Sequence, residues 1–195
     1  YFASGRDAGQ GAVVVDAGGM RFGILICEDA WFEEPAQAAK AAGAQALCVL
    51  NASPFHVDKA DEREDRMGAC ARTHGLPVIY AHLVGGQDEV VFDGASFAVD
   101  VRGVVAMRAP YFDEALAWVD LEGQTIQGET LPQPSNEAQA WGALVTGVRD
   151  YVNKNGFAVV IIGLSGGIDS ALVLAIAVDA LGADRVRTVM MPSLY

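Results

Sequence analysis

The feature that most constrains this chain is a repeated change of hydrophobic period, in which short runs of Val, Ile and Leu alternate with stretches of helical pattern. Runs at 11–16, 22–27, 46–51 and 77–83 are bounded by Gly, Asn or Pro, the signature of buried strands. Between them, 34–42 is Ala-rich and 58–74 carries its charges on one side, so both suit helices covering a sheet. Gly-Gly and Asp-Gly signals within 85–105 predict antiparallel hairpins. The first part is therefore expected to be an α/β layered domain with a mixed sheet.

Periodicity is lost over 123–135, where Gly123, Gly128, Pro132 and Pro134 stand among polar residues, a composition suited to an interdomain linker. This gives expected domains of 1–122 and 136–195. Ser135 suits the cap of a helix that places Trp141, Leu144, Val145 and Val148 on one face. The run 158–162 predicts a central parallel strand covered on both sides, and 171–181 a helix buried all round. With a strand over 186–191 they make a βαβ unit. Trp118 and Trp141 are expected in the core.

Net charge is −12 with only 13 Lys and Arg, which do not cluster. Nonspecific grip on nucleic acid or an anionic membrane is thereby excluded. No apolar run is long enough to cross a bilayer and no secretory signal opens the sequence, so a cytoplasmic location is expected. Cys27, Cys48 and Cys70 lack the spacing of a zinc site and cannot all pair, which fits a reducing compartment. The sequence opens at Tyr1 and stops at Tyr195 just after a strand-like run, and both ends are expected to be interior to a longer chain.

Gly163-Leu164-Ser165-Gly166-Gly167-Ile168-Asp169-Ser170 falls between the predicted strand and helix of the second domain. Free N–H groups and the helix dipole attract an anion at such a junction, and glycines let the backbone approach phosphate closely. Ser165 and Ser170 add hydroxyl donors. Asp169 would repel phosphate unless a divalent cation lay between them, so it reads as a magnesium ligand. The loop lacks the Gly-Lys-Ser/Thr ending of a Walker loop and the Gly-x-Gly-x-x-Gly of a dinucleotide site.

Cys27 ends an apolar strand and is followed by Glu28, Asp29 and Trp31. A thiol exposed at a strand end, supported by a base and a cation, can attack a carboxamide carbonyl. Two adjacent carboxylates are costly to bury without purpose, so they suggest a polar site around it. Cys48 and Cys70 read as inert packing. His56, His74 and His82 show no ligand spacing, and Asp88, Glu89 and Asp93 crowd a hairpin; none is given a role. Arg63 and Arg66 are expected to pair with Glu62, Glu64 and Asp65 on a solvated helix face.

Two segments carry family resemblances. Gly23 to Trp31, with its Cys-Glu-Asp core, resembles the nucleophile segment of the nitrilase (carbon–nitrogen hydrolase) superfamily, in the form found in NAD synthetase glutaminase domains. Asn51-Ala52-Ser53-Pro54-Phe55, followed by Lys59, looks like that family's glutamine-binding segment. Ser-Gly-Gly-Ile-Asp-Ser resembles the pyrophosphate loop of the N-type ATP pyrophosphatases, and Met191-Pro192-Ser193-Leu194-Tyr195 the run after the second strand in NAD synthetases. The combination is similar to the glutamine-dependent NAD synthetase family.

That resemblance implies an αββα nitrilase-like sandwich followed by the start of a Rossmann-like parallel-sheet domain. It implies Cys27 as nucleophile and Ser53, Lys59 and Glu28 as glutamine contacts. The loop from Gly163 to Ser170 would hold ATP, with Mg2+ on Asp169. The substrates implied are glutamine, ATP and deamido-NAD, acted on by a homo-oligomer that releases AMP and pyrophosphate. The superfamily's general-base Glu and its Lys precede the Cys; neither residue type precedes Cys27, and both are expected upstream of Tyr1. Two alternatives stand beside this reading. One is another pyrophosphatase-type ligase, for GMP, asparagine or tRNA modification, against which the Cys27 segment discriminates. The other is a binding protein whose two sites have decayed.

Overall fold

The computed structural model describes Gly9 and residues 11–192. β1 (Val13–Ala17) and β2 (Met20–Ile26) form a hairpin, with Gly18 and Gly19 at φ 58° and 81° as a tight two-residue turn requires. A 3₁₀ turn (Cys27–Trp31) leads to α1 (Glu33–Ala41), then β3 (Ala46–Asn51), α2 (Lys59–His74) and β4 (Val78–His82). β5 (Val84–Gln87) and β6 (Val90–Asp93) form a separate hairpin. β7 (Phe97–Val99) and β8 (Val105–Arg108) return antiparallel to complete a six-stranded mixed sheet of order β1-β2-β3-β4-β7-β8.

β2, β3 and β4 are parallel, and their register aligns Leu25 with Val49 and Val49 with Tyr80. Alternation puts these residues with Leu47, Val78 and Phe97 on one face, packed against Ala36, Ala39, Met67 and Ala71 of α1 and α2. Each large apolar side chain so buried contributes about 1.5–3 kcal/mol. At Gly23 an added Cβ would lie 2.7 Å from the Ala39 Cβ, so helix and strand are as close as glycine permits. Part of the other face is covered by the hairpin β9 (Val119–Glu122) and β10 (Thr125–Gly128), whose Ile126 packs with Ala98, Met107 and Ala109.

The segment 123–135 is thus not structureless: its first half is strand β10, turned at Gly123 with φ 59°. A single buried Ile126 among polar neighbours is too little to register as periodicity. Trp118, expected in the core, is 77% exposed.

The second part comprises α3 (Asn136–Lys154), β11 (Val160–Leu164), α4 (Ile168–Leu181) and β12 (Val186–Met190), with β11 and β12 parallel. Ser135 Oγ caps α3, accepting from the Ala138 N–H at 3.3 Å. β11 is not covered on both sides, since Ile161 is 73% exposed, nor is α4 buried all round, with Leu172 and Val173 half-exposed. No second helical layer lies over this two-stranded sheet among the described residues. On α3 the apolar stripe turns toward α4, where Trp141 Nε1 donates to Asp179 Oδ2 at 3.0 Å, while Leu144 stays half-exposed.

Against the β5–β6 hairpin α3 presents small residues instead. A Cβ on Gly86 would sit 3.3 Å from the Gly147 Cα, and one on Gly142 would strike the Phe112 ring at 2.5 Å. The Gly86 N–H donates to Asp150 Oδ2 at 2.7 Å, and Lys154 Nζ donates to the Gly86 carbonyl. No described helix is long and apolar enough to cross a membrane.

α2 lies differently from its expected solvated pose. Arg66 pairs with Glu62 at 3.2 Å as anticipated, but Arg63 is 3% exposed and donates through Nη2 to Asp93 Oδ2 at 2.5 Å. Asp93 is fully buried, and its Oδ1 lies 3.2 Å from His82 Nε2. Burial alone would raise the Asp93 carboxyl, but the His82 bond and the Arg63 charge outweigh it and hold the group below its ordinary 3.8. A carboxyl depressed by folding adds stability above the unfolded value that is lost as pH falls through the folded one.

Two outcomes are expected. Gly23→Ala should destabilise by about 1–3 kcal/mol in denaturant unfolding, because α1 must move away from β2. Arg63→Met should cost about 3–5 kcal/mol at neutral pH by leaving Asp93 buried and unpaired. The wild type should keep the pair's contribution down to about pH 4 and lose it below. In the variant the deficit should shrink as pH falls, because protonation discharges the carboxylate that has lost its cation, and urea midpoints across pH 2–7 report both.

Candidate functional site

In the parallel register Ile26, Leu50 and Ala81 lie in one row, and Asn51 pairs with His82 one step further. Cys27 follows Ile26 directly, so the thiol, Asn51 and His82 all stand at the carboxyl ends of adjacent parallel strands. Loops leaving that edge are where α/β sheets build their sites. Cys27 is not the last strand residue but the first of the 3₁₀ turn, with φ 48°. A left-handed conformation costs a residue with a side chain about 1–2 kcal/mol and turns it out of the strand's course.

The turn is held by Asp29, whose Oδ2 accepts the Ile26 N–H at 3.0 Å. Neither carboxylate beside the thiol is buried: Glu28 and Asp29 are exposed, and Asp29 has a structural task. Trp31 carries two cations on its ring, Lys59 Nζ at 4.3 Å and Arg66 Cζ at 4.1 Å from the centroid. Lys59 opens α2 and is bonded to Glu62 at 2.7 Å. Ser53 lies just beyond β3 and accepts from Asn51 Nδ2 at 2.9 Å.

Tyr80 stands on the buried face of β4. Its ring stacks on Phe97 at 4.8 Å, and its hydroxyl is buried. Burial pushes this phenol well above its ordinary value. The Cys27, Ser53, Arg63 and Asp93 side chains all lie near enough to influence it. Ser53 therefore lies in the neighbourhood of Cys27, while Glu28 and Lys59 flank it on the turn and on α2.

Sequence reasoning passed over Tyr80, Arg63, Asp93 and His82. A signal existed for three of them. Arg63 stands four and eight residues before Met67 and Ala71, on the helix's buried face, and Val78, Tyr80 and His82 share one strand face. Nothing in the sequence marks Asp93 as their partner. Burial raises the thiols of Cys48 and Cys70, in keeping with packing roles.

The second candidate lies at the β11–α4 junction. Gly166 takes φ 88°, which glycine tolerates without strain, and Gly167 caps α4. Ser165 and Ser170 cross-brace the loop: their hydroxyls are 3.2 Å apart, Ser170 Oγ donates to the Gly167 carbonyl at 2.9 Å, and the Gly167 N–H reaches Ser165 Oγ at 3.4 Å. Gly163 is fixed by Met191, whose Cε would lie 2.7 Å from an added Cβ. Leu164 closes the strand, while Ile168 and Asp169 stand exposed on the first turn of α4. The loop is open to solvent and lined by N–H groups and hydroxyls. Among the described residues no three His, Cys, Asp or Glu side chains gather as a metal cluster. A magnesium ion taking most ligands from phosphate and water needs one or two protein carboxylates, a demand Asp169 alone can meet. Ser193, Leu194 and Tyr195 lie outside the described residues.

Comparison with known proteins adds to this geometry. The carbon-nitrogen hydrolase family model matches residues 1–128 and the NAD synthase model residues 140–195. The glutamine-dependent NAD(+) synthetase of Rhodobacter capsulatus is 46% identical over 183 residues, covering 91% of this chain and 33% of that protein. That of Acinetobacter baylyi is 40% identical over 198 residues, 100% of this chain and 36% of its own length. The solved Acinetobacter baumannii enzyme of that name, in complex with ADP, superposes at a TM-score of 0.88 with 42% identity, over 94% of this chain and 36% of that one. This likeness bears out the expected order of a nitrilase-like layer before the start of a parallel-sheet domain. The chain spans about a third of the length of these relatives. It belongs to the carbon–nitrogen hydrolase family, continued by a NAD synthase segment in the domain order of the glutamine-dependent NAD(+) synthetases.

Proposed function

We propose that this chain is the junction of a two-site ligase that amidates deamido-NAD to NAD with ammonia taken from glutamine. The supporting observation is the tandem on one chain of a thiol in a left-handed turn at parallel strand ends and a Ser-Gly-Gly loop at a strand–helix junction. The Rhodobacter capsulatus and Acinetobacter baylyi relatives, which match nine-tenths or more of this chain, bear the same name, glutamine-dependent NAD(+) synthetase.

In this reading Cys27 Sγ attacks the side-chain carbonyl carbon of glutamine. The carbon–nitrogen bond breaks, ammonia leaves, and water hydrolyses the glutamyl thioester to glutamate. Ser53, Lys59 and Glu28 hold the amino acid; the residue that takes the thiol proton lies upstream, by family resemblance. At the second site the loop from Gly163 to Ser170 holds ATP phosphates on N–H groups, with Asp169 as ligand to Mg2+, which neutralises phosphate charge when bound. The substrate carboxylate attacks the α-phosphorus and pyrophosphate leaves; ammonia then displaces AMP from the acyl carbon. Fusing the sites has a chemical rationale, since free ammonia is mostly protonated and unreactive near neutral pH. A homo-oligomer acting in the cytoplasm completes the reading.

In the complete protein, Cys27→Ala should abolish synthesis driven by glutamine and spare synthesis driven by added ammonium; loss of both together would refute the division of labour. Gly166→Ala should weaken ATP binding roughly five- to thirtyfold, as a strained left-handed alanine costs about 1–2 kcal/mol, read by calorimetry with and without Mg2+. Unchanged affinity would remove the loop from the nucleotide site. AMP release with deamido-NAD, and none with xanthosine phosphate or aspartate, would identify the carboxylate.

A further inference from the structure

Trp31 closes the 3₁₀ turn that Cys27 opens, and its indole meets two cations from α2. Lys59 Nζ lies 4.3 Å from the ring centroid and Arg66 Cζ 4.1 Å. The indole is half-buried and packs against the main core cluster, so it offers a fixed surface. Lys59, Glu62 and Arg66 stand three and four residues apart on α2, the spacing that brings helical side chains together. One carboxylate joins the two cations: Glu62 Oε2 accepts from Lys59 Nζ at 2.7 Å, and Oε1 accepts from Arg66 Nε at 3.2 Å.

Two positive charges against one negative leave this group with a net single positive charge. Paired with Lys59 alone, Glu62 would neutralise it; shared with Arg66, it cannot. Glu62 takes one of the three N–H donors of the ammonium, so Lys59 keeps both charge and donors for a ligand. A lysine is carried on a flexible stem, and ordering such a side chain at the moment of binding costs affinity. The face of an indole attracts an ammonium through the ring's electron density and so holds it without fixing the direction of any N–H. Trp31 therefore orders Lys59 before a ligand arrives, and does so from the turn that carries the thiol.

We propose that Trp31 is a positioning residue whose indole face holds the Lys59 ammonium beside the Cys27 turn, while Arg66 draws on Glu62 so that Lys59 retains its charge for the amino-acid substrate. The proposal deepens the glutaminase reading, in which Lys59 is a glutamine contact, and rests on it. It adds a requirement on the electrons of the ring, distinct from its bulk.

Fluorinated tryptophans placed at position 31 alone test that requirement, since each fluorine withdraws electron density from the ring face and barely alters its shape. In the complete protein, KM for glutamine should rise stepwise with the number of fluorines while kcat stays within about twofold. Trp31→Leu should raise KM roughly two- to thirtyfold, and Arg66→Gln should raise it as well. In a Lys59→Met background fluorination should have no further effect, because Trp31 acts through that ammonium. A KM that stays flat along the series would overturn the proposal and leave the indole as packing. A fluorine effect that persists without Lys59, a loss confined to kcat, or an unchanged KM in Arg66→Gln would overturn it too. Unfolding midpoints check that the leucine and glutamine variants fold, and the fluorinated series decides the matter if they do not. Failure of the glutaminase reading itself is distinguishable: Cys27→Ala would then leave glutamine use intact, whatever the series shows.

Discussion

The buried pair between Arg63 and Asp93 is the contact on which the thiol end of the molecule depends. It joins α2 to the end of β6, two elements that the sheet does not otherwise bring together, and the two charges compensate each other where neither could stand alone. His82 rests on that pair from β4, and Asn51 on His82 from β3. Four elements thus meet at one point below the carboxyl ends of the parallel strands. Cys27 takes its place beside them from β2, turned outward by a backbone conformation that neighbouring structure must sustain.

The two candidate sites solve opposite problems. The turn that carries the Cys27 thiol is exposed, but the network of Arg63, Asp93, His82 and Asn51 at the adjacent strand ends is buried and cross-bonded. A triphosphate carries its own charge and many acceptors, so a receiving loop needs N–H groups and room more than side chains. The β11–α4 loop has that form: its glycines expose the backbone, and its two serines brace each other and the turn. Asp29 and Ser135 show the same economy at other turns, each occupied in holding a helix start.

Much of the fold was legible because hydrophobic period and chain order agree. The strands β1 to β4, both covering helices and the later βαβ unit fall within a few residues of their predicted positions, since each has at least three apolar residues in phase or a glycine boundary. Local motifs singled out Cys27, Ser53, Lys59 and the loop. What escaped was long-range. Asp93 looks like one more acid in a polar hairpin until Arg63, thirty positions earlier, is found beside it. β10 rests on Ile126 alone, and the exposure of Ile161 depends on what layers lie over it, which no local pattern encodes. Trp118 shows that a large apolar residue is not by itself evidence of burial.

The seam between α3 and the β5–β6 hairpin has a mechanical corollary. Gly86 meets Gly147 main chain to main chain, and the Asp150 carboxylate and Lys154 ammonium grip the N–H and carbonyl of the same residue, Gly86. Side-chain interfaces absorb small displacements by changing rotamer, but backbone pressed on backbone has no such slack. The joint must hold as a unit or part as a unit, and a side chain at Gly86 would press on the main chain of Gly147.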